Sequence, residues 1–220
     1  MSHVIIVGGH GKVALLAAPL LVSDGHDVTS LVRNPEHVAA VEATGATAAV
    51  LDVEHATTEQ IADLVRGSDV VVWSAGAGGG SPERTYAVDR DAAIRSMDAA
   101  AQAGVERYVM VSYFGAGPDH GVPEDSSFYP YAEAKTAADE HLQGTALAWT
   151  ILRPSGLTTD AATGHIAAGQ DIVAGTVSRD NVAHVIRAVV EHPESTARRI
   201  LPFNDGFQPI GDVVAATPSA

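Results

Sequence analysis

Short apolar runs alternate with stretches of helical spacing along most of the chain. His3–Val7 (HVIIV), Val28–Val32, Thr47–Leu51, Asp69–Ser74 (DVVVWS), Arg107–Ser112 (RYVMVS) and Ala148–Leu152 read as six strands. Between them, residues 12–22, 36–43, 57–66, 83–103 and 130–143 have helical length. Thr57 or Thr58 caps the third helix, and Pro19 is expected to kink or shorten the first. Strands that are apolar all along, rather than alternating, suit a parallel sheet covered on both faces. Their alternation with helices implies right-handed crossovers and a doubly wound α/β sheet. Beyond Pro154 the pattern weakens. Asp171–Ala174 and Arg199–Phe203 read as short strands and residues 180–191 as a helix, while the last six residues (AATPSA) are expected to fray. This predicts one domain, a core of about residues 1–154 followed by a small substrate-side segment of about 155–215.

Composition narrows the chemistry. The chain has 220 residues, which is one domain's worth with a full core. It has no cysteine, which excludes disulfides, thiolate metal sites and a Cys nucleophile. A formal charge of −14 argues against sequence-blind nucleic-acid or anionic-membrane binding. There is no signal-like start and no apolar run of membrane-spanning length, so a soluble, cytoplasmic protein is the expectation. The ten histidines are scattered without metal-binding spacing, so no metal is expected.

The segment Gly8-Gly9-His10-Gly11-Lys12-Val13-Ala14 directly follows the first strand and opens the first helix. Glycines there permit a tight turn and close backbone approach to a pyrophosphate, and the helix N-terminus offers amide donors. Position between strand and helix makes this a dinucleotide-binding signal of moderate strength. His10 lies within it, suited to a backbone or phosphate contact. The second strand ends Leu31-Val32-Arg33-Asn34, with no carboxylate for a ribose 2′-hydroxyl. Arg33, helped by Lys12, instead suits a 2′-phosphate, so NADP is favoured over NAD. Asp52, ending the third strand, either meets the adenine amino group or is a turn aspartate.

Of two lysines, Lys135 has Tyr131 four residues before it (YAEAK), which puts both side chains on one helical face. A nearby ammonium lowers a phenol's pKa by favouring its charged form. Tyr131 is therefore a candidate acid/base beside a hydride-transferring nicotinamide, with Lys135 a candidate for holding the nicotinamide ribose. Ser112, ending the fifth strand, is a candidate donor to a substrate oxygen. Tyr113, Phe114, Phe128 and Tyr129 either line an apolar substrate pocket or anchor loops.

In this order, VIIVGGHGKVA, LVRNPE, Leu51-Asp52-Val53, RYVMVS, YAEAK and Thr150-Ile151-Leu152-Arg153-Pro154 resemble the short-chain dehydrogenase/reductase superfamily. The likeness is to its atypical NAD(P)H-binding, epimerase/dehydratase-like members. It implies a Rossmann-like core with Tyr131 as general acid/base, Lys135 on the ribose and Ser112 on the substrate oxygen. It also implies that Val53, Ser74, Ala75 and Gly76 line the cofactor, and that Pro154 to Leu157 lie beside the nicotinamide. The substrate would be a small carbonyl or alcohol. The alanine-rich helix at 83–103 falls where such proteins often dimerise. Two departures stand out. Asp89, a further catalytic candidate, stands where the family has an asparagine that serves in a proton relay, and Ser112 precedes Tyr131 by 19 residues, across a glycine- and proline-rich loop. The fold leaves open a non-catalytic cofactor sensor, or an epimerase that recycles its cofactor.

Overall fold

The computed structural model describes residues 1–79 and 81–216. Its strands are β1 (His3–Val7), β2 (Asp27–Val32), β3 (Thr47–Val50), β4 (Val70–Trp73), β5 (Arg107–Val111), β6 (Ala148–Pro154), β7 (Gly156–Thr158), β8 (His165–Ala168), β9 (Thr176–Ser178), β10 (Arg199–Asp205) and β11 (Gln208–Pro209). Its α-helices are α1 (Ala14–Ser23), α2 (Val38–Glu42), α3 (Thr58–Val65), α4 (Pro82–Thr85), α5 (Ala93–Ala103), α6 (Tyr129–Gly144), α7 (Arg179–Glu191), α8 (Pro193–Thr196) and α9 (Ile210–Ala215).

The main sheet runs β11-β8-β10-β6-β5-β4-β1-β2-β3, and its seven strands from β10 to β3 are mutually parallel. This is a Rossmann-like doubly wound sheet. Alternate residues of β1 feed opposite cores. Val4 and Ile6 pack with α1 and α7, and Ile5 and Val7 with α3, α5 and α6. Both sets are fully buried, which is why the strand is apolar throughout. The chain leaves β1 toward β2 and β3 on one side, and β4, β5 and β6 lie on the other. Such a switch point opens a crevice at the carboxyl ends of the strands.

The segment after Pro154 continues this sheet through β10, β8 and β11, while β7 and β9 form a separate two-stranded ribbon. The strand expected at Asp171–Ala174 does not form. Side chains hold that stretch instead. Asn204 Nδ2 donates to Val173 O at 2.9 Å, and Asn204 Oδ1 accepts from Gly175 N at 3.0 Å. Pro19 does not break α1. It lies on the solvent face, where a lost backbone donor is tolerated. Thr57 caps α3 in a reciprocal box with Gln60. Of the terminal residues expected to fray, 217–220 lie outside the described residues, as does Gly80 of the glycine run. Among the described residues no helix is long and apolar enough to cross a membrane.

Candidate active site

A cavity of about 800 Å³ occupies the switch-point crevice. The glycine loop forms its floor. Gly8 has φ +85°, and a Cβ there would lie 2.6 Å from Ala75 Cα, so the loops after β1 and β4 meet only because this residue is glycine. A Cβ on Gly9 would lie 2.5 Å from Ser30 Cβ. No side chain caps α1; Leu15 N and Leu16 N already donate to Gly11 O and Val13 O at 2.9 and 3.1 Å, so the amides left for an anion are those just ahead of them, at Lys12 and Val13. Gly8, His10, Gly11, Lys12 and Val13 all line the cavity. Together, the close backbone approach and the uncapped helix fit a dinucleotide pyrophosphate.

At the end of the cavity beneath β2 and β3 stand Arg33, Asp52, Val53, Glu54 and Arg84. One Glu54 oxygen lies 3.5 Å from Arg33 Nη1 and 3.3 Å from Arg84 Nε. Asp52 is a turn aspartate. Its Oδ1 accepts from Glu54 N at 3.1 Å and its Oδ2 lies 3.0 Å from His55 Nδ1. His10 and His37 also line this end, with their rings stacked at 3.6 Å. Arg33 presents an exposed cationic head at this end, its side chain being 56% accessible, and Lys12 on the glycine loop is exposed as well.

The reactive end is buried. Ser74, Ala75 and Gly76 line the cavity together with Asp89, Ser112, Tyr131 and Lys135. The helix expected at 83–103 forms as α4, a π-helical stretch Tyr86–Ala92, and α5. The widened turn carries Asp89, whose Oδ2 accepts from Ala77 N at 3.0 Å. Asp89 thus braces the loop after β4 while lining the cavity. The long Ser112–Tyr131 loop is tied back to α6. Gly117 N donates to Thr136 Oγ1 at 3.1 Å, and His120 Nε2 meets Glu133 Oε1 at 2.7 Å. Ser112 and Tyr131 therefore face one cavity despite their separation.

Asp139, two helical turns beyond Tyr131, was not singled out by sequence reasoning. It is fully buried, and its Oδ2 accepts from Ser112 Oγ at 2.9 Å and from Arg153 Nε and Nη2 at 3.1 Å. The hydroxyl proton of Ser112 is thereby committed, so Ser112 turns lone pairs, not a donor, toward the cavity. Lys135 Nζ donates to Val111 O at 2.8 Å. Burial lowers the Lys135 pKa against the pull of Asp89 and Asp139. Burial raises those of Asp139 and Asp89, against Lys135 in each case.

The Tyr131 phenol is pushed up, first by burial and then by Asp89 and Asp139. The lowering expected from Lys135 does not appear: burial dominates, and the two carboxylates add to it. Tyr131, Phe128 and Tyr113 form a cluster with ring centroids 5.2 to 5.4 Å apart. Phe128 lines the cavity, whereas Tyr129 packs edge-on against His120, 5.7 Å away. Pro154 does not line it. Its carbonyl accepts from Phe114 N at 2.8 Å and it pairs with Phe203 of β10, so the strand absorbs it. Leu157 and Arg179 close that side instead.

A model of a family of NAD(P)H-binding proteins matches residues 8–193. The chain belongs to this NAD(P)H-binding family. The matched region spans the glycine loop, Tyr131 and Lys135. Family membership and the Rossmann-like sheet agree with an atypical short-chain dehydrogenase/reductase. The chain is 33% identical over 213 residues to a Bacillus subtilis (strain 168) protein named uncharacterized sugar epimerase YhfK, covering 96% of this chain and 98% of that protein. A Bacillus halodurans structure, named as a candidate NAD-dependent epimerase/dehydratase, superposes with TM-score 0.89 at 29% identity, over 97% of this chain and 99% of that one. The oxidoreductase ylbE of Lactococcus lactis superposes with TM-score 0.85 at 26% identity, over 96% and 94% of the two chains.

Proposed function

We propose that this family member is an NADP(H)-dependent oxidoreductase that reduces a small carbonyl compound. The supporting observation is convergence. One cavity holds an anion-ready glycine loop and helix at one end, and Tyr131 with Lys135 at the other. The family match supports a nicotinamide cofactor, and Arg33, without a carboxylate at the end of β2, supports its 2′-phosphate form.

A nicotinamide held in this cavity would supply hydride. Lys135, which donates to Val111 O and Met110 Sδ, places its remaining donor for the ribose hydroxyls. Tyr131 carries its proton at neutral pH, because burial and the flanking carboxylates disfavour the phenolate. Its hydroxyl hydrogen-bonds the carbonyl oxygen and donates the proton as negative charge develops there. Phe128 and Leu157 give the substrate an apolar wall. Asp139 fixes Ser112 and Arg153 behind this centre. A screen of aldehydes and ketones, followed by loss of NADPH absorbance, tests the reading. Consumption by wild type but not by Tyr131→Phe is expected. Turnover undiminished in Tyr131→Phe overturns the role of the phenol.

A further inference from the structure

The cavity contains one feature that neither pyrophosphate binding nor hydride transfer uses. His10, at the apex of the glycine loop, and His37, in the turn that leads from β2 into α2, stack face to face. Their ring centroids are 3.6 Å apart and their planes 12° from parallel. The turn is built to present His37. Asn34 caps it by accepting from Glu36 N at 3.1 Å, and His37 N donates to Asn34 O at 3.0 Å. Both rings line the cavity beside Lys12, Arg33 and Asn34.

We propose that His10 and His37 form a proton-linked wall of the 2′-phosphate subsite, which makes NADP(H) affinity rise as pH falls. This rests on the NADP reading above. Imidazoles change charge between about pH 5 and 8. A phosphate dianion bound beside the stack favours the charged form of an imidazole, so binding draws a proton onto the pair. By linkage, the affinity then increases as pH falls. The other charged groups around the pair are Lys12 on the glycine loop, Arg33 at the end of β2, Glu36 in the turn, and Asp52 and Glu54 after β3. Glu54 is shared between Arg33 and Arg84, and Asp52 is held by His55, so those carboxylates are already engaged. NAD(H), which lacks the phosphate, has nothing to draw the proton.

The test is calorimetric titration of the full chain with NADP⁺ and, separately, NAD⁺ between pH 6.5 and 8.5. Each is run in two buffers of different ionisation enthalpy to count protons taken up. Wild type should bind NADP⁺ about ten-fold more weakly at the upper pH and take up a fraction of a proton at neutral pH, while NAD⁺ varies less than two-fold. His37→Gln and His10→Asn should each flatten the NADP⁺ profile and remove the proton uptake. A profile unchanged in both variants overturns the proposal. So does an equal pH dependence for NAD⁺. Equal losses for both cofactors in His37→Gln would mean that the rings merely stack on adenine, and would also overturn it. If NADP⁺ binds no better than NAD⁺ at any pH, the NADP reading fails, and this inference falls with it. A flat profile with strong NADP⁺ preference removes the histidine pair alone.

Discussion

Replacing Arg33 with alanine should change cofactor choice more than cofactor binding. The Arg33 side chain is 56% accessible and its partner Glu54 is 3.5 Å away, so its charge acts in a nearly aqueous dielectric. One unit charge at about 4 Å from another is worth about 1 kcal/mol in water. A 2′-phosphate dianion roughly doubles this, to about 2 kcal/mol. Leaving Glu54 costs a fraction of a kcal/mol, as exposed ion pairs of this kind contribute little. The net, about 1.5 to 2 kcal/mol, corresponds to a factor of roughly 10 to 30 in affinity. The Kd for NADPH should therefore rise about that much in Arg33→Ala, with NADH changed less than two-fold. Fluorescence titration of both reduced cofactors reads this directly. The difference should shrink in high salt, since an exposed pair is screened. Equal losses for the two cofactors, or a selectivity change below about three-fold, would refute the assignment of Arg33 to the phosphate.

Three further outcomes are expected. Tyr131→Phe keeps the aromatic cluster with Tyr113 and Phe128, so NADPH affinity should stay within two-fold while kcat falls roughly 10²- to 10⁴-fold; steady-state kinetics on any carbonyl substrate decides this. Gly8→Ala forces a Cβ to 2.6 Å from Ala75 Cα at a φ of +85°, so it should lower the Tm and weaken NADPH and NADH alike; a cofactor-selective loss would contradict that geometry. Asp139→Ala strips three hydrogen bonds from Ser112 and Arg153 and leaves buried cations uncompensated, which should cost about 3 to 5 kcal/mol by urea unfolding. A loss below about 1 kcal/mol would show that the cluster rearranges freely.

What the sequence made legible is what short-range spacing encodes. The strand, glycine loop and helix order puts Gly8 and Gly11 at the turn after β1 and Arg33 just past the end of the next strand, and all three line one cavity. Tyr131 and Lys135 share a face because helices repeat every 3.6 residues. Asp139 repeats the same face one turn on, and an acid there, on a helix presenting Lys135 inward, was a readable signal. Its grip on Ser112 and Arg153 was not, since these come from β5 and β6 and meet it only in the folded protein. The same holds for Glu54 with Arg84, and for His10 with His37. Strands β7, β8, β9 and β11 have two to four residues each, too few for an apolar period to register. The misplaced strand at Asp171–Ala174 shows the converse, an apolar pair held by the Asn204 side chain instead of a ladder.

The charge arrangement at the reactive end bears on the direction of the proposed chemistry. Lys135 and Arg153 supply two positive charges, and Asp89 and Asp139 two negative ones, within a largely buried cluster. An isolated buried lysine beside Tyr131 would favour the phenolate, which suits proton removal from an alcohol. Here Lys135 lies between two carboxylates and is pinned to Val111 O, and burial first, then both carboxylates, raise the Tyr131 pKa. The phenol therefore rests as an acid. A resting acid is ready to donate a proton to a carbonyl oxygen receiving hydride, whereas oxidation would first have to form a phenolate that this surrounding opposes. The commitment of the Ser112 proton to Asp139 strengthens the same argument, because it leaves Tyr131 as the hydroxyl donor at that oxygen. Neutralising Asp139 would weaken both constraints together, so the acid role proposed for Tyr131 depends on a residue that lies behind the serine.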